Sequence, residues 1–233
     1  LPRVNQENQV NYPHIDQLRH VVQEMEKRGI QQAPFRGTTK IHGTNARIIV
    51  SEDSSREYGS KNQVVASGHY GFVEWAQSHT GVVANVPAPY IIYGEWAGVG
   101  IQSGVPYPKS FFVFSVYSQG KWYTDEVVNT GREDGAYLIS EFGVHSVLLV
   151  LETIEQQSTD LFSMVDAIET ECPVAKALGF PGSTGEGIVF VTSDTNDPSR
   201  GFKVKGDKHA TTRVVKTAKP TISGLREFLE ATV

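Results

Sequence analysis

A lysine that is to do covalent chemistry has to be held in place and relieved of its proton. The stretch Thr39-Lys40-Ile41-His42-Gly43-Thr44-Asn45 meets the first condition. Lys40 stands just before a glycine turn that feeds the apolar run from Ala46 to Val50, so its amine is carried by scaffold. Alone this is a weak signal, because a lysine three residues before a glycine is common on protein surfaces. Other residues add to it. Glu95 closes the apolar run Tyr90 to Tyr93, and Glu186 opens the run from Gly187 to Thr192. Each carboxylate sits at a strand end beside glycine, where backbone or ligand approaches closely. Phe202-Lys203-Val204-Lys205 then puts two lysines on one face of a strand, since side chains alternate with period two. Two ammonium groups side by side repel unless an anion lies between them.

Elements must hold these residues together from distant parts of the chain. Ile15, Leu18, Val21, Val22 and Met25 share one face of an amphipathic helix over Asp16 to Arg28, with Gly29 as its stop. Short β-type runs follow at Ala46 to Val50, Tyr90 to Tyr93, Phe111 to Tyr117, Val144 to Leu151, Gly187 to Thr192 and Phe202 to Lys205. Ser118-Gln119-Gly120 reads as a hairpin turn into Lys121-Trp122-Tyr123. Leu161, Met164, Val165 and Ile168 mark a second helix over Thr159 to Glu171, and a third is expected from about Ser223 to Ala231. Strands dominate and no regular βαβ alternation occurs, so the expected class is α+β, built on antiparallel sheets with flanking helices. Residues 1–219 are expected to form the main domain. Residues 220–233, after the linker Thr217 to Pro220, are expected to be a C-terminal helix, the possible start of a further domain.

At 233 residues, 39% hydrophobic and 20% charged, the chain can bury a substantial core and does not have the composition of a disordered segment. No apolar window approaches the ~18 residues of a membrane span, and no signal-peptide order opens the chain, so a soluble cytoplasmic protein is expected. The lone Cys172 has no partner for a disulfide and is expected to be a buried, unreactive thiol. His14, His69, His79, His145 and His209 show no metal-ligand spacing and are expected to be structural or surface residues. A net charge of −5 gives no global attraction for a polyanion. Between Arg200 and Lys219, however, seven basic residues face a single acid, Asp207, which makes this segment a candidate phosphate-contacting face. A solvated strand edge would carry the same charges.

The order and wording of Lys-Ile-His-Gly-Thr-Asn (from Lys40), Gly-Glu-Trp-Ala-Gly-Val-Gly-Ile-Gln (from Gly94), Phe-Phe-Val-Phe (from Phe111), Glu-Gly-Ile-Val (from Glu186) and Lys-Val-Lys (from Lys203) resemble nucleotidyltransferase motifs I, III, IIIa, IV and V of the covalent ligase and capping-enzyme superfamily. The likeness runs from about Phe35 to Lys208 and is closest to the phage RNA ligase 2 family of ATP-dependent RNA ligases. His42, where DNA ligases and capping enzymes usually have aspartate, favours that branch.

The resemblance implies a nucleotidyltransferase domain of the ATP-grasp-like ligase adenylation type, and a role for each matching position. Lys40 would be the nucleophile that takes AMP from ATP through a phosphoramide bond, with Ile41 and Asn45 among the nucleotide contacts. Glu95 would meet the ribose, Phe114 would stack on adenine, and Lys203 and Lys205 would bracket the AMP phosphate. Glu186, with Glu95, would bind Mg²⁺ or Mn²⁺; His42 and Asn45 would assist phosphate or metal-water positioning; and Lys61, or alternatively Arg56, would fill a substrate-contacting arginine's place. Implied partners are RNA 5′-phosphate and 3′-hydroxyl ends, with no membrane, and a monomer in the cytoplasm, or in the host cytoplasm if the gene is a phage's.

The chemistry asks for such a set independently. Removing the proton of an ordinary lysine at pH 7 costs about 4.6 kcal/mol. Nearby cations lower that cost and also stabilise a phosphate under attack. Departures from the family pattern touch secondary positions: Thr39 stands for a base-reading glutamate, Ser115 for an aspartate and Val191 for a lysine. Another covalent nucleotidyltransferase (a DNA ligase or mRNA capping guanylyltransferase) and a catalytically inactive nucleotide- or RNA-binding domain remain open at this level.

Overall fold

The computed structural model describes residues 10–209; the expected C-terminal helix, the linker and the boundary at 219/220 lie outside the described residues, as do Arg213, Lys216 and Lys219 of the basic segment. Two sheets carry the fold. The first has the order β1 (Asp16–Gln17), β13 (Phe202–Lys205), β12 (Gly187–Thr192), β2 (Gln32–Lys40), β11 (Val144–Val150). The second runs β10 (Ala136–Leu138), β7 (Ser110–Ser118), β6 (Tyr90–Ala97), β3 (Thr44–Val50), β4 (Arg56–Ser60), with β8 (Lys121–Thr124) paired to β7; β5 (Val83–Ala84) and β9 (Val128–Asn129) form a small separate pair.

Each sheet buries one face under helices. Phe35, Leu149, Ile188, Phe190, Phe202 and Val204 of the first sheet pack against α1 (Leu18–Arg28) and α3 (Ile154–Thr170). Ala46, Ile48, Ile92, Trp96, Phe111 and Val113 of the second pack against Phe72, Val73 and Ala76 of α2 (Phe72–Ser78). A third cluster joins Ile41, Ala97 and Phe112 to Val174 and Ala175 of α4 (Pro173–Ala177). The period-two alternation then turns Thr38, Lys40, Val189, Lys203 and Lys205 to the opposite face of the first sheet, and Asn45, Arg47, Tyr93 and Glu95 to the opposite face of the second.

The α+β class holds, with two parallel pairings, β1 with β13 and β10 with β7, among the antiparallel ones. The first helix starts at Leu18 because Asp16 and Gln17 pair with Phe202 and Lys203 instead. Gly29 ends it in the left-handed conformation, φ +68, as its stop signal implies. The second helix begins at Ile154, five residues ahead of the expected start. The turn at Gln119-Gly120 has both φ angles positive, the geometry that suits a tight hairpin between β7 and β8. Among the described residues no helix is long and apolar enough to cross a membrane.

Candidate active site

The site begins with a register. Lys40 on β2 and Lys205 on β13 both pair with Gly187, the first residue of the strand between them. With no side chain on Gly187, nothing separates the two amines but the carboxylate of the residue before it. Glu186 accepts from Lys40 Nζ at 2.7 Å through Oε2 and from Lys205 Nζ at 2.8 Å through Oε1. Gly187 makes this possible: its φ of +146 is a conformation side chains rarely adopt, and a Cβ there would stand 2.1 Å from the Val204 carbonyl oxygen. Burial works to raise the Glu186 carboxyl, but the charges and hydrogen bonds of Lys40 and Lys205 outweigh it and hold the carboxyl below its usual range.

One row further along, Thr38, Val189 and Lys203 are in register. Lys203 does not join Glu186; its Nζ donates to the carbonyl of Ile15 at 2.7 Å. Burial lowers its pKa, and the neighbouring charges of Lys205, Lys40 and Lys61 add to the effect. The expected lysine pair is therefore split between a carboxylate and a backbone carbonyl, which relieves part of their repulsion.

Motif I crosses from one sheet to the other. Lys40 ends β2, Gly43 makes the turn, and Asn45 on β3 stands opposite Glu95 on β6. A Cβ on Gly43 would lie 2.5 Å from the Trp96 carbonyl oxygen and 2.9 Å from Glu95 Cγ, so only glycine lets the turn press onto Glu95. Burial pushes the Glu95 carboxyl up to about 7, opposed by the charge of Lys40, reinforced by that of Glu186, and opposed again by the Gly43 backbone N–H and by Lys61. The two acids thus act on one another and on Lys40, although 91 residues separate them in sequence.

His42 Nδ1 lies 3.5 Å from Glu186 Oε2. Ile41 is buried among Ala97, Tyr107 and Phe112, so its side chain serves the core and only its backbone is left for a ligand. Asn45 keeps its Oδ1 buried with no hydrogen-bond partner, while its carbonyl accepts from His69 Nε2. Lys61 acts electrostatically on Glu95 and Lys203. Arg56 is committed elsewhere, donating to the carbonyls of Thr80 and Val82.

Phe111 and Phe112 are fully buried, as expected of strand aromatics, whereas Phe114 is only half-buried. The cause is a β-bulge. Tyr93 pairs with Ser115 and Gly94 with Val113, leaving Phe114 with no partner on β6. A bulge re-aims the side chain it displaces. The Phe114 ring stands edge-on to Tyr12 at 4.8 Å between centroids.

Two residues at the site escape the sequence reading. Tyr12 carries no motif signal, yet it is buried against Tyr93 and Phe114. His209, expected to be structural or on the surface, packs its ring edge-on against His42 at 5.0 Å, with Nδ1 buried and without a partner. Its position four residues after Lys205 was the available clue. Cys172 is a buried free thiol pushed up by burial, consistent with an inert role.

Two strand-end acids, a scaffold-held lysine and two further lysines thus come together between the sheets, and the fold is that of RNA ligase nucleotidyltransferase domains. Solved structures of the Naegleria gruberi RNA ligase are similar: a mutant with ATP and Mn has TM-score 0.57 at 13% identity, over 90% of this chain and 58% of that one. The same enzyme with PPi has TM-score 0.56 at 14% identity, over 90% and 62%. The chain thus spans about three fifths of those proteins' length. Residues 33–205 match the family model described as RNA ligase, and the chain belongs to the RNA ligase family. No curated protein matches it in sequence.

Proposed function

We propose that this chain is the adenylation unit of an ATP-dependent RNA ligase that takes AMP onto Lys40, transfers it to an RNA 5′-phosphate and joins that end to a 3′-hydroxyl. The observation that carries the reading is the Lys40–Gly187–Lys205 row closed by Glu186, with Glu95 and Phe114 presented from the facing sheet.

In the first step the Lys40 nitrogen attacks the α-phosphorus of ATP, a P–N bond forms and the bond to pyrophosphate breaks. The amine must first lose a proton. That proton leaves to solvent, since Glu186 is a poor acceptor: its lysine partners hold its carboxyl low. Its role is to aim the amine and to keep Lys205 beside it. Lys205 and Lys203 present positive charge where the phosphate oxygens lie during attack, and that charge favours both the neutral amine and the transition state. Phe114 offers a ring face to the base, and the Glu95 carboxylate an acceptor for a ribose hydroxyl.

The oxygens of the site suit a hard divalent cation: Asn45 offers a buried, unpartnered amide oxygen and Glu95 a carboxylate, and Glu186 would join them on giving up a lysine contact. Among the described residues no group of three or more His, Cys, Asp or Glu is placed to hold a metal ion by itself. Magnesium and manganese commonly take one or two carboxylates, with water and substrate phosphates completing the shell. When bound, such an ion neutralises charge on the phosphates during transfer. The Naegleria gruberi RNA ligase is solved with ATP and Mn and with AMP and Mn, which supports ATP and a divalent metal as the cofactors.

The experiment is intact-protein mass spectrometry after incubation with ATP and Mg²⁺. One added AMP, absent from Lys40→Ala, supports the reading, and ligation of nicked RNA against nicked DNA then separates an RNA ligase from a DNA ligase. Adduct formation with GTP alone would indicate a capping-type enzyme, and no adduct with either nucleotide would leave a binding domain.

A further inference from the structure

Arg47 is a charged residue in an apolar place. It is 2% exposed, lies on β3 opposite Tyr93, and among the described residues has no carboxylate against it. Its Nε is buried without a partner. Burying a guanidinium with no counter-ion is costly, and an aliphatic side chain would fill the same volume without that cost. Besides its contact with Tyr93, Arg47 bonds one short segment. Nη1 donates to the Val10 carbonyl at 3.0 Å and to Asn11 Oδ1 at 3.1 Å. Tyr93 Oη donates to the same Val10 carbonyl.

That segment bridges the two sheets. Immediately after the clamp, Tyr12 packs its ring against Phe114, Tyr93 and Trp122, all on the second sheet. Three residues later the Ile15 carbonyl accepts from Lys203 of the first sheet, and Asp16 and Gln17 then pair with Phe202 and Lys203. Residues 10–17 therefore form a strap from the Arg47 side of one sheet to the Lys203 side of the other. Phe114 has no cross-strand partner of its own, so the Tyr12 ring is a direct restraint on its orientation.

We propose that Arg47 is a positioning residue for nucleotide binding: by clamping Val10 and Asn11 it holds the strap that braces Phe114 and fixes Lys203. The inference rests on the reading of the cleft as an ATP site, but it concerns a residue that touches neither nucleotide nor the reacting atoms. Lys40, Glu186 and Lys205 lie outside the strap, whereas Phe114 and Lys203 lie against it, so its loosening weakens capture of ATP more than it slows the chemical step on bound ATP.

The test compares Arg47→Met, Asn11→Ala and the double variant in single-turnover adenylylation of Lys40 at a series of ATP concentrations. Arg47→Met is expected to raise the half-saturating ATP concentration by about fivefold to tenfold, with the maximal rate falling by a smaller factor. Asn11→Ala raises it less, and the double variant is no worse than Arg47→Met, because both changes break one contact. Effects that multiply, an unchanged half-saturating concentration, or a fall in maximal rate alone would overturn the proposal. Asn11 is exposed, so its variant reports even if Arg47→Met fails to fold. Hydrogen exchange over residues 10–17 reads the clamp without any activity: Asn11→Ala and Arg47→Met are expected to speed exchange there, and unchanged exchange in both overturns it. Absence of adduct in wild type would refute the ATP-site reading instead, and the exchange result would still decide whether Arg47 clamps the strap.

Discussion

Lys40 Nζ stands 2.7 Å from Glu186 Oε2, a contact closed across 146 residues of sequence. Glu186 is 4% exposed and shares its other oxygen with Lys205, so one buried carboxylate is shared between two ammonium groups. Glu186→Gln keeps the shape and removes the charge, leaving the two cations facing each other. The variant is expected to lose on the order of 1–3 kcal/mol, less than for a fully buried pair because both lysines are partly exposed. Adenylylation should fall by roughly a hundredfold or more. The pH dependence has a definite sign. A carboxyl held below its unfolded value near 4.5 contributes stability that is present above that value and lost as the pH falls through the lower, folded one. Urea melts should therefore show the gap between wild type and Glu186→Gln closing in acid, and a gap that is constant with pH would refute this account.

Glu95 gives the opposite sign. Its carboxyl rises from 4.5 to about 7 on folding, so the folded chain holds a proton that the unfolded chain has released. Stability from this group is complete below about pH 4.5, declines as the pH rises through that interval, and is lost above about 7. Glu95→Gln cannot titrate. Its stability relative to wild type should rise across that window by on the order of 2 kcal/mol, measured by denaturant melts near pH 5 and pH 8, although its activity falls. A relative stability that does not change with pH would show that Glu95 is not raised.

These opposed acids show what was legible in the sequence. Lys40, Glu95, Glu186, Lys203 and Lys205 could be picked out because each stands at or just before a glycine or in an alternating strand, and those are local signals. Their division of labour was not, because it depends on which strands are neighbours. β2, the strand that carries Lys40, went unread as an element: Gln-Ala-Pro-Phe-Arg-Gly-Thr-Thr has a proline and a glycine where apolar alternation would have marked a strand. It forms because both of its edges find partners, β12 on one side and β11 on the other. The separation of Lys203 from Glu186 by the Ile15 carbonyl, the strap of residues 10–17 and the packing of His209 on His42 are likewise long-range and leave no local pattern.

Gly187 tests whether the lysine–acid geometry is set by backbone. With φ +146 and the Val204 carbonyl oxygen in the way of a Cβ, Gly187→Ala must displace either β13 or the start of β12. The cost expected is about 2–4 kcal/mol, from backbone strain together with the steric overlap. Because Glu186 precedes it and Lys205 pairs with it, the shift also separates the carboxylate from its lysines. Adenylylation should fall further than the loss of stability explains, when measured at a temperature where the variant remains folded. Full activity in the folded variant would show that the carboxylate finds its place without the glycine.

Phe112 and Phe114 are two residues apart in one motif, and the bulge gives them different work. Phe112 is fully buried among Tyr107, Ile139 and the residues of α4, so Phe112→Ala should cost about 3–5 kcal/mol and lower activity only through unfolding. Phe114 is displaced from the ladder, half-buried and edge-on to Tyr12. Its truncation removes a ring face offered to a planar base, worth roughly 1–3 kcal/mol when such stacking is lost. Phe114→Ala should raise the half-saturating ATP concentration by about tenfold or more, with a smaller change in melting temperature than Phe112→Ala. Thermal melts and ATP titrations of the two variants side by side make the comparison. If Phe114→Ala melted as early as Phe112→Ala and bound ATP as wild type does, the bulged phenylalanine would be core and the base would lie elsewhere. The opposite pattern would mean that one extra residue on β7 converts a core position into a ligand-facing one.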